Sequence, residues 1–373
     1  MYLPRIKSVF PPVPLGDGRV RLGADFGIAS EIADENGEVW LLLNLMDGTR
    51  TRPRLAADVH ERFPAATREE VDNAIDTLID MGFVEDAASP LPAALSVAER
   101  ERYRRNLEFF SFFHRPPLTP GDFQLRLRDA RVTVLGVGGF GSYVALSLAA
   151  VGVGHLTLVD HDRVELANLN RQILYTDTDV GRLKVEAAAE HLAAVNPHVD
   201  VAVRAEMVDG VAAARRCMSD RDLLVCAADR PRLRIYHWLN DAALAERVAW
   251  IRGGNDGLTV NLFLHVPYRT ACFACVEREA AESRPEYLPT VNHMVNVIGD
   301  RTVNPCTAPM AGMIGSVAAL EAVKFLNGMA DPLIAGRKLI VDMQRMETEF
   351  AEGKRLDDCP KCGSGVTGDV LVA

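Results

Sequence analysis

A doubly wound α/β fold with a mostly parallel sheet is what the sequence predicts for the larger part of this 373-residue chain. Three observations carry that prediction. From about residue 125 the pattern alternates strand, helix, strand, helix, the order that builds parallel sheets covered by helices. A glycine cluster, Gly136-x-Gly138-Gly139-x-Gly141, sits where the first of those strands passes into the first helix. Ahead of it, residues 19–88 form a unit with a different periodicity, followed by the Pro/Ala linker DAASPLPAAL.

The elements follow in order. RVRLGADFGIASEIADENGEVWLLLNLMDGTRT alternates in a strand-like way, with turn signals at Asn36-Gly37 and Asp47-Gly48. TREEVDNAIDTLIDMGFVED reads as a helix. Thr67 and Glu70 make a capping box, Val71, Ile75, Leu78 and Ile79 share one face, and Gly82 stops the turn before FVED returns as a strand. Helices with a short β-wing predict a winged-helix-like module over residues 1–90. Residues 91–124 are a linker and an Arg-bearing helix, SVAERERYRRNLEFFSFF, closed off by Pro116-Pro117. The third part, 125–373, opens with the strand ARVTVLG, the helix GSYVALSLAAVG and the strand HLTLVD. The helix GRLKVEAAAEHLAAVNP, strands VDVAVRAE and DLLVCAAD, and a core helix GMIGSVAALEAVKFL closed by Gly328 come after.

Bulk properties narrow the function. Net charge is −10 and no basic run is dense enough to track phosphates, so nucleic acid is excluded as the main partner. No apolar stretch approaches the ~18 residues needed to span a bilayer, and MYLPRIKSVF lacks a signal-peptide core. A cytoplasmic protein without a membrane partner is expected. Seven cysteines in so long a chain do not make a disulfide scaffold.

The glycine loop is built for a nucleotide. Gly136 permits the tight turn, Gly138 and Gly139 let backbone approach phosphate, and Gly141 permits close helix–strand packing. The helix N-terminus adds N–H donors and a positive dipole end. Asp160 ends the next strand, where an acidic side chain can bind ribose hydroxyls. The loop alone suits NAD or ATP. A hydride-transfer enzyme has no use for several cations near the phosphates, whereas Arg171 and Lys184 flank a polar stretch carrying Asn168, which suits a triphosphate. Cys272-x-x-Cys275 and Cys359-x-x-Cys362 make two knuckles that suit a closed, structural tetrahedral Zn²⁺ site. A redox C-x-x-C is the alternative, disfavoured by the two copies. Cys217 and Cys226 lie among apolar residues and read as core.

Taken together, GVGGFGS, VDHDRVELANLNRQ, VGRLKVE and CAAD resemble the adenylating domain of the family that includes ubiquitin-activating enzymes and the bacterial activators of molybdopterin and thiamine sulfur carriers. The resemblance covers roughly residues 98–365. It implies that Asp160, Asp162, Asn168 and Gln172 join the glycines in binding ATP, and that Arg171 and Lys184 act on its phosphates. It also implies that Asp229 is the Mg²⁺-linked catalytic aspartate, and that Arg105 reaches into the partner subunit's active site in a homodimer. In such an adenylyltransferase a substrate carboxylate attacks the α-phosphorus of ATP and pyrophosphate leaves. The carboxylate is already ionised at neutral pH, so no general base is needed. Some members carry a thioester- or persulfide-forming cysteine, whose place falls near Arg301 or Thr302 here; Cys306 lies several residues later, a departure that puts thioester chemistry in doubt.

The added N-terminal module most resembles the microcin C-type, peptide-adenylating branch. That branch implies activation of the C-terminal carboxylate of a ribosomally made peptide in antibiotic biosynthesis, with a succinimide and an N–P linked conjugate as later products. The alternative is a Gly-Gly-ended, ubiquitin-like sulfur-carrier protein as substrate. A peptide-binding scaffold with a degenerate site is disfavoured because Asp160, Asn168, Arg171, Lys184 and Asp229 are all present.

Overall fold

A computed structural model describes residues 2–24, 29–299 and 305–364. The chain divides into two compact units, Met1–Arg126 and Leu127–Ala373.

The first unit contains β1 (Pro4–Ile6), β2 (Pro12–Pro14), β3 (Arg19–Leu22), β4 (Ser30–Ala33), α1 (Glu38–Leu45), α2 (Arg52–Arg62), α3 (Arg68–Asp80), β5 (Val84–Asp86), α4 (Val97–Arg102), α5 (Arg104–Phe110) and most of α6 (Pro120–Asp129). Strands β2, β3 and β4 form an antiparallel sheet with β3 central, and β1 pairs with β5. The α3 expectation holds in detail. Thr67 and Glu70 make both capping-box hydrogen bonds, Val71, Ile75 and Leu78 are buried, and Gly82 turns the chain at φ 88°. Leu42, Leu43, Leu55, Val59 and Leu22 join them in one core, each fully buried side chain contributing about 1.5–3 kcal/mol.

Two expectations for this unit need correcting. GEVWLLLNL is the helix α1, not a strand: the Asp34 carboxylate accepts from the backbone N–H groups of Val39 and Trp40, capping the first turn. The Arg-bearing segment is two short helices, broken at Tyr103, instead of one. Part of the segment read as alternating, residues 25–28, lies outside the described residues.

The second unit holds β6 (Arg131–Leu135), α7 (Gly139–Val151), β7 (His155–Val159), α8 (Lys184–Val195), β8 (Asp200–Arg204), α9 (Val211–Met218), β9 (Leu223–Cys226), α10 (Arg234–Glu246), β10 (Ala249–Asp256), β11 (Thr259–His265), α11 (Phe273–Ser283), α12 (Tyr287–His293), α13 (Ala308–Asn327), β12 (Arg337–Asp342) and β13 (Glu347–Glu352). The eight-stranded sheet runs β13-β12-β11-β10-β9-β6-β7-β8. The pairs β8–β7, β7–β6, β6–β9 and β9–β10 are parallel, and β11, β12 and β13 extend the sheet antiparallel. This is the mixed, mostly parallel α/β sheet that the alternation foretold. Because β6 has β7 on one side and β9 on the other, the order of winding reverses beside it. In doubly wound sheets that crevice, at the carboxyl ends of the strands, is where ligands sit.

Helix α13 is 20 residues long and, by length and composition alone, apolar enough to cross a bilayer, which corrects the expectation that no stretch approaches that length. It is nevertheless a core helix. Ala311, Ile314, Ala318 and Ala322 are buried, and α13 packs on α7, where a Cβ on Gly315 would stand 3.0 Å from the carbonyl oxygen of Phe140.

Candidate functional site

The glycine loop leaves β6 and enters α7, and its geometry explains each glycine. Gly136 has φ 87°, and a Cβ there would stand 2.8 Å from the Ala228 backbone nitrogen. At Gly141 a Cβ would lie 1.9 Å from the Gly136 carbonyl oxygen, so helix and turn touch backbone to backbone. Gly138 is different: it is the residue before α7, and the nearest atom to a Cβ there is Gln172 Nε2 at 3.8 Å. Gly139 has Ala311 and Arg171 at 3.5 Å. Space therefore remains in front of Gly138, where the N–H groups of the first turn of α7 carry the positive end of the helix dipole.

Asp160, at the end of β7, is buried and fixes this loop. One carboxylate oxygen accepts from Val137 N at 2.8 Å and the other from Asp162 N at 2.9 Å. A carboxylate offers about four acceptor positions, so both oxygens retain capacity for a ligand hydroxyl. Tyr175 braces the loop from the other side, its buried hydroxyl donating to the Val137 carbonyl at 2.8 Å. Tyr175 carries no signal along the chain, because only the tertiary turn brings it to the loop.

The cations and carboxylates cluster at the same strand ends. Lys184, the first residue of α8, is buried, and its ammonium donates to Asp162 Oδ2 at 2.8 Å. Burial works to raise the Asp162 pKa, but the hydrogen bond and charge of Lys184, with His161 and Arg230, outweigh it and hold the group below its usual range. Asn168 is buried, and its Oδ1 accepts from Glu165 N at 3.1 Å, shaping the turn that carries Arg171. Arg171 donates to the Ala167 carbonyl and to Asn170 Oδ1. Gln172 is 3% exposed, and its Oε1 is buried with no hydrogen-bond partner among the described residues. A buried amide oxygen beside an open glycine is a position for a ligand donor. Asp229 and Arg230 follow β9 and are exposed; Arg230 was missed because one arginine after a strand carries no pattern.

Carboxylate oxygens of Asp160 and Asp162 and a ring nitrogen of His161 lie within 4.8 Å of one another. Hard oxygen donors of this kind suit Mg²⁺. Asp229 is not part of that convergent group.

The four knuckle cysteines converge as their spacing suggested. All are buried, with sulfurs 3.8 Å apart for Cys272–Cys275 and for Cys272–Cys359, and 3.5 Å for Cys275–Cys362. A tetrahedron with metal–sulfur bonds of ~2.3 Å has edges of about 3.8 Å. Backbone N–H groups of Leu356 and Lys361 point at Cys275 and Cys359 sulfurs, both at 3.5 Å. The residues present thus fit a tetrahedral thiolate-bound ion.

Other cysteines separate by environment. Burial pushes the Cys217 thiol up to about 11 and Cys226 up to about 12, as befits inert core residues. Cys306, half-buried, sits just before α13; burial raises its pKa against the lowering effect of Arg171. Arg301 and Thr302 lie outside the described residues. In the first unit, Arg105 is exposed and paired with Glu108 at 2.5 Å.

Residues 103–361 match the ThiF family. Molybdopterin-synthase adenylyltransferase of Escherichia coli (strain K12) is 33% identical over 276 residues, covering 73% of this chain and 99% of that protein. Sulfur carrier protein ThiS adenylyltransferase of the same organism is 30% identical over 244 residues, covering 65% and 89%. Among solved structures, E. coli MccB with ATP aligns with a TM-score of 0.77 and 20% identity, covering 96% of this chain and 99% of that one. The crystal structure of PaaA aligns with a TM-score of 0.73 and 26% identity, covering 94% and 100%.

Proposed function

Since the chain belongs to the ThiF family and is an adenylyltransferase with an ATP-using fold, we propose that it adenylates the C-terminal carboxylate of a ribosomally made peptide in a microcin C-like antibiotic pathway. One observation carries this reading. The molybdopterin-synthase adenylyltransferase is matched almost end to end yet accounts for only 73% of this chain, whereas the fold of MccB extends over 96% of it. The excess is the N-terminal unit, which a carrier-protein activator does not require. That unit, as a winged-helix-like recognition module, takes the precursor peptide; β4, an edge strand of its sheet, offers free backbone groups to an added strand. E. coli MccB, whose fold this chain shares, has been crystallised with AMPCPP and selenomethionine MccA.

In this reading the nucleotide lies along Gly136, Gly138, Gly139 and Gly141. Asp160 accepts from the ribose, and Gln172, Asn168 and Asp162 line the remainder. The peptide carboxylate attacks the α-phosphorus, the bond to the leaving pyrophosphate breaks, and Arg171 and Lys184 stabilise the charge that develops. Asp229 would hold a bound Mg²⁺, whose charge would offset part of that on the phosphates. Arg105 of a second copy completes the site, so the active form is a homodimer. Zn²⁺ on Cys272, Cys275, Cys359 and Cys362 is structural. ATP and newly made peptide meet in the cytoplasm, where we place the enzyme.

A second reading, activation of a Gly-Gly-ended sulfur carrier, is favoured by the 33% identity to molybdopterin-synthase adenylyltransferase. ATP–pyrophosphate exchange separates the two. Exchange that depends on a short peptide encoded beside the gene, with an added AMP mass or a loss of water on that peptide, supports the first. Exchange with a Gly-Gly-ended carrier and none with any such peptide sinks it.

A further inference from the structure

Beside β6, β8 and α9, four arginines share a pocket that the adenylation chemistry leaves unused. Arg131 opens β6, Arg204 closes β8, Arg216 lies in the last turn of α9, and Arg221 lies two residues before β9. With Ala205, Glu206, Ser219 and Asp220 they line a pocket of about 640 Å³. Five residues of strand at ~3.3 Å each put Arg131 roughly 13 Å from the loop end of β6. Arg204 bridges the two regions: its carbonyl accepts from the Asp160 backbone N–H at 3.2 Å, while its guanidinium turns to the Arg216 carbonyl.

The charges in this pocket do not balance. Glu206 pairs with Arg216 at 3.3 Å and with Arg204 at 3.9 Å, and Arg204 also donates to the Arg216 carbonyl, which holds these two guanidiniums in place. Arg131 and Arg221 have no carboxylate within ion-pair distance among the described residues. The Asp222 carboxylate is engaged by the backbone N–H of Arg131 instead, and Arg221 Nη1 reaches only the Asp220 carbonyl. Arg221 Nε is buried and has no hydrogen-bond partner among the described residues. Burial, together with the like charges of Arg204 and Arg131, lowers the Arg221 pKa from its usual value. A buried guanidinium N–H left unpaired and pressed by two other cations is costly to the fold, and a dianion in the pocket removes that cost.

We propose that this pocket binds a phosphate group, either inorganic phosphate or the phosphate of a small phosphorylated metabolite, between the guanidinium groups of Arg131, Arg216 and Arg221. A guanidinium fork matches tetrahedral oxyanions in bidentate fashion, and several arginines around one ligand suit a double negative charge better than a single carboxylate. The pocket is broad and open, with more room than a lone phosphate needs. Glu206 and Asp220 on the lining limit the pocket to one anionic group and disfavour an extended polyanion.

Thermal unfolding of the full-length protein tests this, at fixed ionic strength and with a saturating non-hydrolysable ATP analogue occupying the nucleotide site. Inorganic phosphate and glycerol 3-phosphate are the probes. Wild type is expected to gain about 2–5 °C in Tm at tenfold the dissociation constant. Arg221→Gln is expected to bind at least tenfold more weakly while retaining ATP–pyrophosphate exchange. Arg216→Gln, an exposed position, serves the same purpose should Arg221→Gln fold poorly. A response to phosphate as strong as to the ester identifies the free ion; tenfold tighter binding of the ester identifies a phosphorylated metabolite. No response in wild type, or one undiminished in both variants, overturns the proposal.

Discussion

Gly141→Ala and Gly138→Ala form a pair that separates packing from ligand approach. At Gly141 the added methyl would lie 1.9 Å from the Gly136 carbonyl oxygen and 2.9 Å from its carbon. Ordinary contact begins near 3.4 Å, so backbone must move by more than 1 Å (an order-of-magnitude reading of van der Waals contact). Overpacking a core costs 1–3 kcal/mol, and because this obstacle is main chain, about 3 kcal/mol is expected. For a unit of this size that lowers Tm by roughly 6–12 °C. At Gly138 the nearest atom is 3.8 Å away and the backbone is extended, with φ −81°. Gly138→Ala should therefore fold with a Tm within about 2 °C of wild type, since an alanine before the helix costs well under 1 kcal/mol relative to glycine. Its methyl nevertheless occupies the space where phosphate approaches, so KM for ATP in pyrophosphate exchange should rise about tenfold or more. Differential scanning calorimetry and exchange kinetics on both variants decide the matter. Unchanged Tm in Gly141→Ala, or unchanged ATP dependence in Gly138→Ala, would show the close-approach reasoning to be wrong.

Lys184→Met should lower kcat/KM for exchange by ~10²–10³-fold, the usual loss when one preorganised charge is removed; a change below threefold would take Lys184 out of the chemistry. Purified protein should contain one equivalent of zinc by elemental analysis, and Cys359→Ser should both lose it and lower Tm; full stability in a zinc-free variant would rule out a structural metal. The buried His114 has its pKa lowered to about 4, chiefly by burial and then by the nearby Lys7. Its neutral form therefore stabilises the N-terminal unit fully above pH 6.5, and that contribution is lost as pH falls from 6.5 towards about 4. The slope of stability against pH over that window should flatten in His114→Gln, measured by urea unfolding; an unaltered slope would assign it to other groups.

What the sequence disclosed was local. The strand, loop and helix around Gly136 were legible because turn, phosphate approach and close packing each demand glycine at a fixed spacing. The end of α13 at Gly328 was legible for the same reason, and the capping box at Thr67 because Thr and Glu three residues apart satisfy each other's backbone N–H groups. GEVWLLLNL was misread because a short, continuous apolar run has no period that distinguishes strand from helix; the deciding contact, Asp34 to Val39 and Trp40, is a cap that the preceding turn completes. At the site, the residues of the polar stretch were visible as types but not as partners. That Lys184 is held by Asp162, and that Tyr175 supports Val137, depends on how α8 and its preceding turn fold back on the sheet. The arginine pocket draws on two strands, one helix and the turns beside them and had no signature along the chain.

The paired knuckles have a topological consequence. Cys272 and Cys359 are 87 residues apart, as are Cys275 and Cys362, and the span between them contains α12, α13, β12 and β13. An ion on the four thiolates closes that span into a ring. A protease that cuts within the ring produces two polypeptides on a denaturing gel but one particle in solution, since both fragments remain ligands of the same ion. A chelator, or the protonation of the thiolates, would remove that tether and leave the fragments joined by packing and sheet pairing alone.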